Sequence, residues 1–461
     1  MQDWNPGDPT FTTTNPAGAE PGAQDGKGIV GAVNYLAGQG VNSVYFLPMN
    51  IGGDGQDTSP FADPGIDLSG SSSNNNLRYD VSKLQQWNTV FEHAQDQGVA
   101  LNVVLNEAET PNKLELDNGT LGVERKLFYR EMAARFGHLP GLQWNLSEEY
   151  NRGRGTAGEL SPDTVKEFAA YLSAVDGYDH PLTVHNGNYG QWPFGTDYPE
   201  QHSEVSTDSQ VNEWAPFLGE ADFDLVSFQD YEERNVGARV EELRKLSAAA
   251  GRPIPVMIDE PESIDALSVT NVRREMTYDI YFSGGGVEWF VRGQDQSLED
   301  FRQFEDVYRQ TAIARQFMED HLPFWEMEPQ DTLIYFEDVD YGGAEVLAKE
   351  GEIYAIYLPD ASNDDGPNGI SPLLDLRDYW GVPFSVRWFD PRVGEFDALE
   401  RTILGGSLIP IGQGPFAGTP MSTEDWVVLV ERIDGAPSAV PEPGALTAMG
   451  AAAGLGVRRR R

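Results

Sequence analysis

A chain of 461 residues, 39% hydrophobic and 11% aromatic, is too long for a lone binding module and can bury a barrel-sized core plus a smaller one, which excludes wholesale disorder. Its 74 acidic residues against 32 basic ones give a net charge of -42, a field that repels phosphate backbones and anionic lipid heads and argues against nucleic acid as a partner. The chain has no cysteine, and none of its 6 histidines pair at His-x-x-x-His spacing; thiol chemistry, disulfides and zinc-hydrolase motifs are therefore excluded, and hydrolysis would have to run on carboxylates.

Residues 1–26 are polar and rich in Pro, Gly and Thr, with no basic segment leading into an apolar run, so they read as an irregular segment without a signal peptide. From Lys27 onward helical and strand periods alternate. Ile29, Val33 and Leu36 suit a helix face, Val41 to Met49 a strand, Val81 to Ala94 a helix and Val99 to Leu105 a strand. A helix from Leu121 to Phe136, a strand from Leu142 to Leu146, a helix from Ser161 to Val175 and a strand from Pro181 to His185 follow. Then come strand Asp224 to Phe228, helix Val236 to Ala250, strand Ile254 to Ile258, helix 271–282, strand Val287 to Val291 and helix 298–318.

Alternation of this kind implies α/β with parallel strands. The first helix has no strand before it, so residues 27–322 read as a (β/α)8 TIM-type barrel whose first strand precedes residue 1, in a longer gene product. An open doubly wound sheet is the alternative, but no Gly-x-Gly-x-x-Gly turn opens a helix to support its dinucleotide-binding form. Residues 323–434 turn to short β-rich runs, Thr332 to Phe336 and Thr402 to Ile411 among them, separated by Gly, Asp and Pro, and read as a small all-β sandwich. Residues 435–461 form a linker and tail: Val440-Pro-Glu-Pro443, a short apolar stretch to Val457, and an Arg cluster from Arg458 to Arg461.

In a parallel barrel the reacting groups project from the C-terminal strand ends. Here those ends offer Asn50, Asn106 with Glu107, Glu148 with Glu149, His185, Tyr231, Asp259 with Glu260, and Trp289. Carboxylates, amides, an imidazole and aromatic faces around one mouth suit a sugar: acids for proton donation and nucleophilic attack, amides for hydroxyls, rings for the pyranose face. Asp-rich loops around Asp54 and Asp360 lack EF-hand spacing and read as solvated, so no metal or cofactor is expected.

Trp144-Asn-Leu-Ser-Glu-Glu-Tyr-Asn151 resembles the fourth-strand signature of the retaining glycosidase clan, most closely that of the apiosidase-like barrels. Pro255-Val-Met-Ile-Asp-Glu-Pro261 resembles that clan's seventh-strand segment. The resemblance implies Glu149 as acid/base, Glu260 as nucleophile, and Glu148 and Asn151 as its neighbours at the substrate; their strand-end places offer Asn50, Asn106, Glu107, His185, Tyr231 and Trp289 as further substrate contacts. Glu148 stands where the clan usually has Asn. Met327-Glu-Pro-Gln-Asp331 and Arg387-Trp-Phe-Asp-Pro-Arg392 resemble a sandwich often labelled collagen-binding, and the last 27 residues resemble the PEP-CTERM sorting tail of exported bacterial proteins. Together these imply an exported glycoside hydrolase with a carbohydrate substrate, attached to the membrane through its tail before processing. The other reading is a catalytically inactive carbohydrate- or matrix-binding surface protein.

Overall fold

The computed structural model describes residues 27–51, 58–62, 76–152, 158–187, 213–230, 236–261, 268–290, 301–335, 343–359, 372–411 and 424–433. They form two compact units that divide at Ala312/Ile313, inside a long helix, ten residues ahead of the boundary read from the sequence.

The first unit opens with α1 (Lys27–Gly38) and then alternates: β1 (Ser43–Phe46), α2 (Val81–Asp96), β2 (Ala100–Val104), α3 (Thr110–Glu115), α4 (Val123–Phe136), β3 (Leu142–Asn145) and α5 (Pro162–Val175). After these come β4 (Leu182–Thr183), β5 (His185–Asn186), β6 (Val226–Asp230), α6 (Val236–Ala249), β7 (Val256–Pro261), a helix of mixed α and π turns between Val269 and Phe282, β8 (Gly285–Val287) and α7 (Glu305–His321). The helices start where local chemistry allows. Asp80 caps α2 by accepting from the Ser82 and Lys83 amides, and Ser161 caps α5 by accepting from Thr164, with Pro162 in the first turn.

All strands pair in parallel in chain order, β1 to β4 and β5 to β8. β4 and β5 are one strand interrupted at Val184, so the ladder has seven members among the described residues, as expected for a TIM-type barrel whose eighth strand is not among them. The inner strands are almost wholly buried, whereas β1 and β8 are half-buried along their length, and no described pairing joins them. Their side chains do meet: the Ser43 hydroxyl donates to Glu288, just past β8, and the Asn102 amide of β2 donates to the other Glu288 oxygen at 2.9 Å. The apolar core lies between ladder and helices, around Phe91, Phe128, Trp144, Phe168, Phe228 and Ile258.

The second unit is a two-sheet antiparallel sandwich. Six strands run in the order β15 (Glu395–Leu404), β14 (Pro383–Asp390), β17 (Trp426–Arg432), β12 (Ile353–Leu358), β11 (Glu345–Lys349) and β9 (Glu328–Pro329). They face β10 (Ile334–Tyr335), β13 (Leu373–Asp375) and β16 (Leu408–Pro410) across a core of Tyr354, Leu374, Phe384, Trp388 and Val428. The sequence suggested one strand from Thr402 to Ile411; the chain instead makes β15 and β16, split at Gly405-Gly406. Most of β15 is exposed, its apolar Leu399 and Leu404 included, so its side chains do not alternate between buried and polar as a half-buried strand's do. The expected strand start at Thr332 is a 3-10 turn, Asp331–Leu333, ahead of β10. The tail at 435–461 lies outside the described residues, and among them no helix is long and apolar enough to cross a membrane.

Candidate active site

The barrel interior is built by strand alternation. Ser43 and Tyr45 of β1, Asn102 of β2, Asn145 of β3, His185 of β5, Ser227 and Gln229 of β6, and Asp259 of β7 all stand at one parity of their strands, the parity that faces inward. This layer is polar, so its groups must be paired or titrate abnormally.

Two departures from alternation shape the site. The first is in β7. Phe228 pairs with Ile258, but the next residue, Gln229, pairs with Glu260, which leaves Asp259 as an extra residue on its strand. Consecutive strand residues normally point to opposite faces; the bulge instead turns both acids toward one imidazole. His185 Nδ1 lies 3.6 Å from Asp259 Oδ1, and His185 Nε2 lies 3.8 Å from Glu260 Oε2. Asp259 also accepts from the Ser227 hydroxyl and, at 3.5 Å, from the Asn145 amide. Burial drives the Asp259 carboxyl well above the usual range, with the Glu288 charge adding to the rise. Burial, with the Lys113 charge, drives His185 down to about 3, so its ring is neutral.

The second departure follows β3. The strand's hydrogen bonding continues to His185, whose amide donates to Ser147 O and whose carbonyl accepts from Tyr150 N. Between them Glu149 takes a left-handed conformation at φ 38, uncommon for a side chain of its size. The Arg152 amide closes the turn on the Glu149 carbonyl at 2.8 Å, and the Arg152 guanidinium pairs with the Glu149 carboxylate at 3.2 Å and with Glu109 at 2.6 Å. Lys113 of α3, fully buried, donates to the Glu149 carbonyl at 2.5 Å. Burial and the adjoining Glu107 raise the Glu109 carboxyl to about 8.

The two ends share neighbours. His185 bonds the backbone around Glu149 and touches the Glu260 carboxylate. The Tyr45 hydroxyl, which has no hydrogen-bond partner among the described residues, is pushed up first by burial and then by the charges of Glu148, Asp259, Glu260 and Glu288.

The remaining expected contacts divide. Glu148 is half-buried, and its amide donates to Asn106 O. Asn50 and Glu107 are buried at the mouth; Asn50 bridges to Thr58 through its backbone, and a Glu107 oxygen accepts from the Glu109 amide. Two amides belong to the scaffold. Asn106 donates to Leu146 O and accepts from Arg125, and Asn151 holds Gly187 by both its amide nitrogen and its oxygen. The Trp289 indole N–H donates to Thr311 of α7 at 2.8 Å, and the ring packs with Val272 and Val307. A residue two positions past so short a strand is free to turn toward the helix layer. Tyr231 lies outside the described residues. Sequence reasoning missed Lys113 and Arg152, which carry no local signal, and offered Asp259 at its strand end without giving it a role. No cluster of three or more His, Cys, Asp or Glu among the described residues could hold a metal ion.

Among solved structures, a glycoside hydrolase family 5 protein from Bacteroides vulgatus superposes with a TM-score of 0.63 at 16% identity, covering 91% of this chain and 90% of its own. A second glycoside hydrolase superposes at 0.60 with 15% identity, covering 87% and 88%. At such identity the likeness establishes the fold, an α/β TIM-type barrel followed by an antiparallel β region. No family model and no curated protein matches the sequence.

Proposed function

We propose that the chain is a glycoside hydrolase acting on a polysaccharide or oligosaccharide by a retaining two-carboxylate mechanism. The observation that carries this reading is the meeting of two acid-bearing strand ends at His185, whose ring lies 3.8 Å from the Glu260 carboxylate and whose backbone bonds the peptides flanking Glu149. The fold shared with the two glycoside hydrolases adds support.

In this reading Glu260 attacks the anomeric carbon while Glu149 protonates the departing glycosidic oxygen; Glu149 then takes a proton from the water that releases the glycosyl–Glu260 ester. His185, neutral and buried, orients Glu260 without competing for its negative charge. Retention calls for carboxyl groups about 5–5.5 Å apart on the sugar's two faces. The test is proton NMR of the first-formed anomer from an aryl glycoside: retained configuration supports the mechanism, and inverted configuration refutes it.

A binding-only protein is the second reading, favoured by the Arg152 guanidinium that occupies the Glu149 carboxylate. Oligosaccharide binding without product, unchanged by Glu149→Gln, would establish it. We further propose that the protein works outside the cell; the Pro-Glu-Pro, apolar and Arg order of residues 440–461 supports sorting at the membrane. Detection of the mature chain in the cell-surface fraction tests this, and its confinement to the cytosol counts against it.

A further inference from the structure

We infer that Lys113 is the positioning residue of Glu149: its buried ammonium, bonded to the Glu149 carbonyl, holds the left-handed turn that aims the Glu149 carboxyl. The inference rests on the acid/base reading of Glu149 given above.

A non-glycine residue in the left-handed region is strained, and such a conformation persists only where the surroundings over-determine it. Here the turn is held from several directions. Tyr150 N–H binds His185 O, Asn151 binds Gly187 on both sides of its amide, and Arg152 N–H returns to Glu149 O. These bonds fix residues 150–152. Lys113 acts on Glu149 itself, with Nζ 2.5 Å from the Glu149 carbonyl and 3.4 Å from the Arg152 carbonyl, so one cation spans both ends of the turn.

An ammonium has three donors and no acceptor, and it is costly to bury without such partners. Lys113 is held in turn by its own backbone: its carbonyl accepts from the buried Arg125 at 3.0 Å. A lysine retained at zero exposure, where a methionine would fill the same volume, marks a need for its charge at that point.

The groups facing the ammonium are Glu149, Glu107 and Glu148, which favour its charge, and Arg152, which opposes it; its own charge also bears on His185. Burial outweighs the carboxylates and lowers Lys113 to about 8. The clamp is therefore charge-assisted at neutral pH and weakens as pH rises past that value.

The test uses the full chain with Lys113→Met and Lys113→Arg, read by hydrogen exchange over residues 147–152 and by kinetics on an aryl glycoside. In the Met variant, exchange at 149–152 should rise about tenfold while the sandwich keeps native protection, and kcat should fall about 100-fold with KM nearly unchanged. The Arg variant, which keeps its charge, should retain turn protection at pH 9 where the native chain loses it. Native exchange at 149–152 in Lys113→Met, or loosening spread evenly through the barrel, overturns the inference. Should the variants fail to fold, the native chain decides: its seven lysines, labelled with carbon-13 at the ε position, include one that should titrate near 8 in step with loss of protection at 149–152. Loss of protection uncoupled from that titration refutes the clamp. If the native chain cleaves no glycoside, the proposed function falls, while the exchange measurement still decides the clamp.

Discussion

The ends of β3 and β7 carry the same sequence feature, two consecutive acids, and house it in opposite surroundings. Glu148 and Glu149 sit among cations, Lys113 and Arg152, on a left-handed turn. Asp259 and Glu260 sit on a strand bulge against a neutral imidazole, with Asp259 driven toward its protonated form. Neighbouring carboxylates repel each other, so a pair at a buried site needs either cations or a proton. One strand end takes the first solution and the other takes the second. The two strand ends therefore hold their acids in different environments, one beside cations and the other beside a neutral ring.

The largest expected effect is on Glu260: Glu260→Gln should abolish turnover while leaving melting temperature near native, and measurable multiple turnover would break the comparison at its β7 side. Glu149→Gln should lower kcat by about 10²–10⁴-fold, with Glu148→Gln losing much less; the reverse order, read from the same steady-state assay, would move the acid role one residue back. Arg125→Met should destabilise the barrel by about 3 kcal/mol or more, because it strips charged hydrogen bonds from Asn106 and from the Lys113 and Leu116 carbonyls. Urea unfolding measures this, and the loss should exceed that for Asp259→Asn, which replaces a carboxyl already close to neutral.

His185 gives the pH test. Its folded pKa lies below its unfolded one, so its contribution to stability is full above about pH 6.5 and is lost as pH falls toward about 3. His185→Gln should flatten the melting-temperature profile over that interval, and an unchanged acid limb would show that another group carries it. The smallest effect belongs to Trp289→Phe, which should cost about 1 kcal/mol through the lost bond to Thr311 and leave KM unaltered. A raised KM would return Trp289 to the substrate.

The strand and helix alternation, and with it the barrel and its strand ends, was legible because periods of 2 and 3.6 write burial directly into sequence. Position along the chain placed Glu149 and Glu260 at two such ends. What alternation cannot encode is where it is broken. The bulge at Asp259 and the left-handed Glu149 are set by the neighbours that hold them, and those neighbours come from distant segments. Lys113 lies in a six-residue helix whose sequence, Thr-Pro-Asn-Lys-Leu-Glu, reads as solvated loop. Asn106 and Asn151 looked like sugar contacts because an amide serves a hydroxyl and a peptide equally well, and here peptides claim both. The first seven residues of β15 lay outside the expected strand, since the pairing with β14 rests on backbone bonds while most of its side chains, apolar ones included, are exposed.

Glu288 gives the barrel a chemical clasp. Between β1 and β8, where the described ladder has no rung, Ser43 and Asn102 fasten onto this one carboxyl. Burial lifts its pKa, the two donors offsetting only part of the rise. Its contribution to stability is therefore present below the ordinary carboxylate range and drains away as pH climbs through the raised value. Mild acid should favour the folded barrel and alkali should disfavour it, so that a seam without peptide hydrogen bonds among the described residues answers to the proton concentration around it.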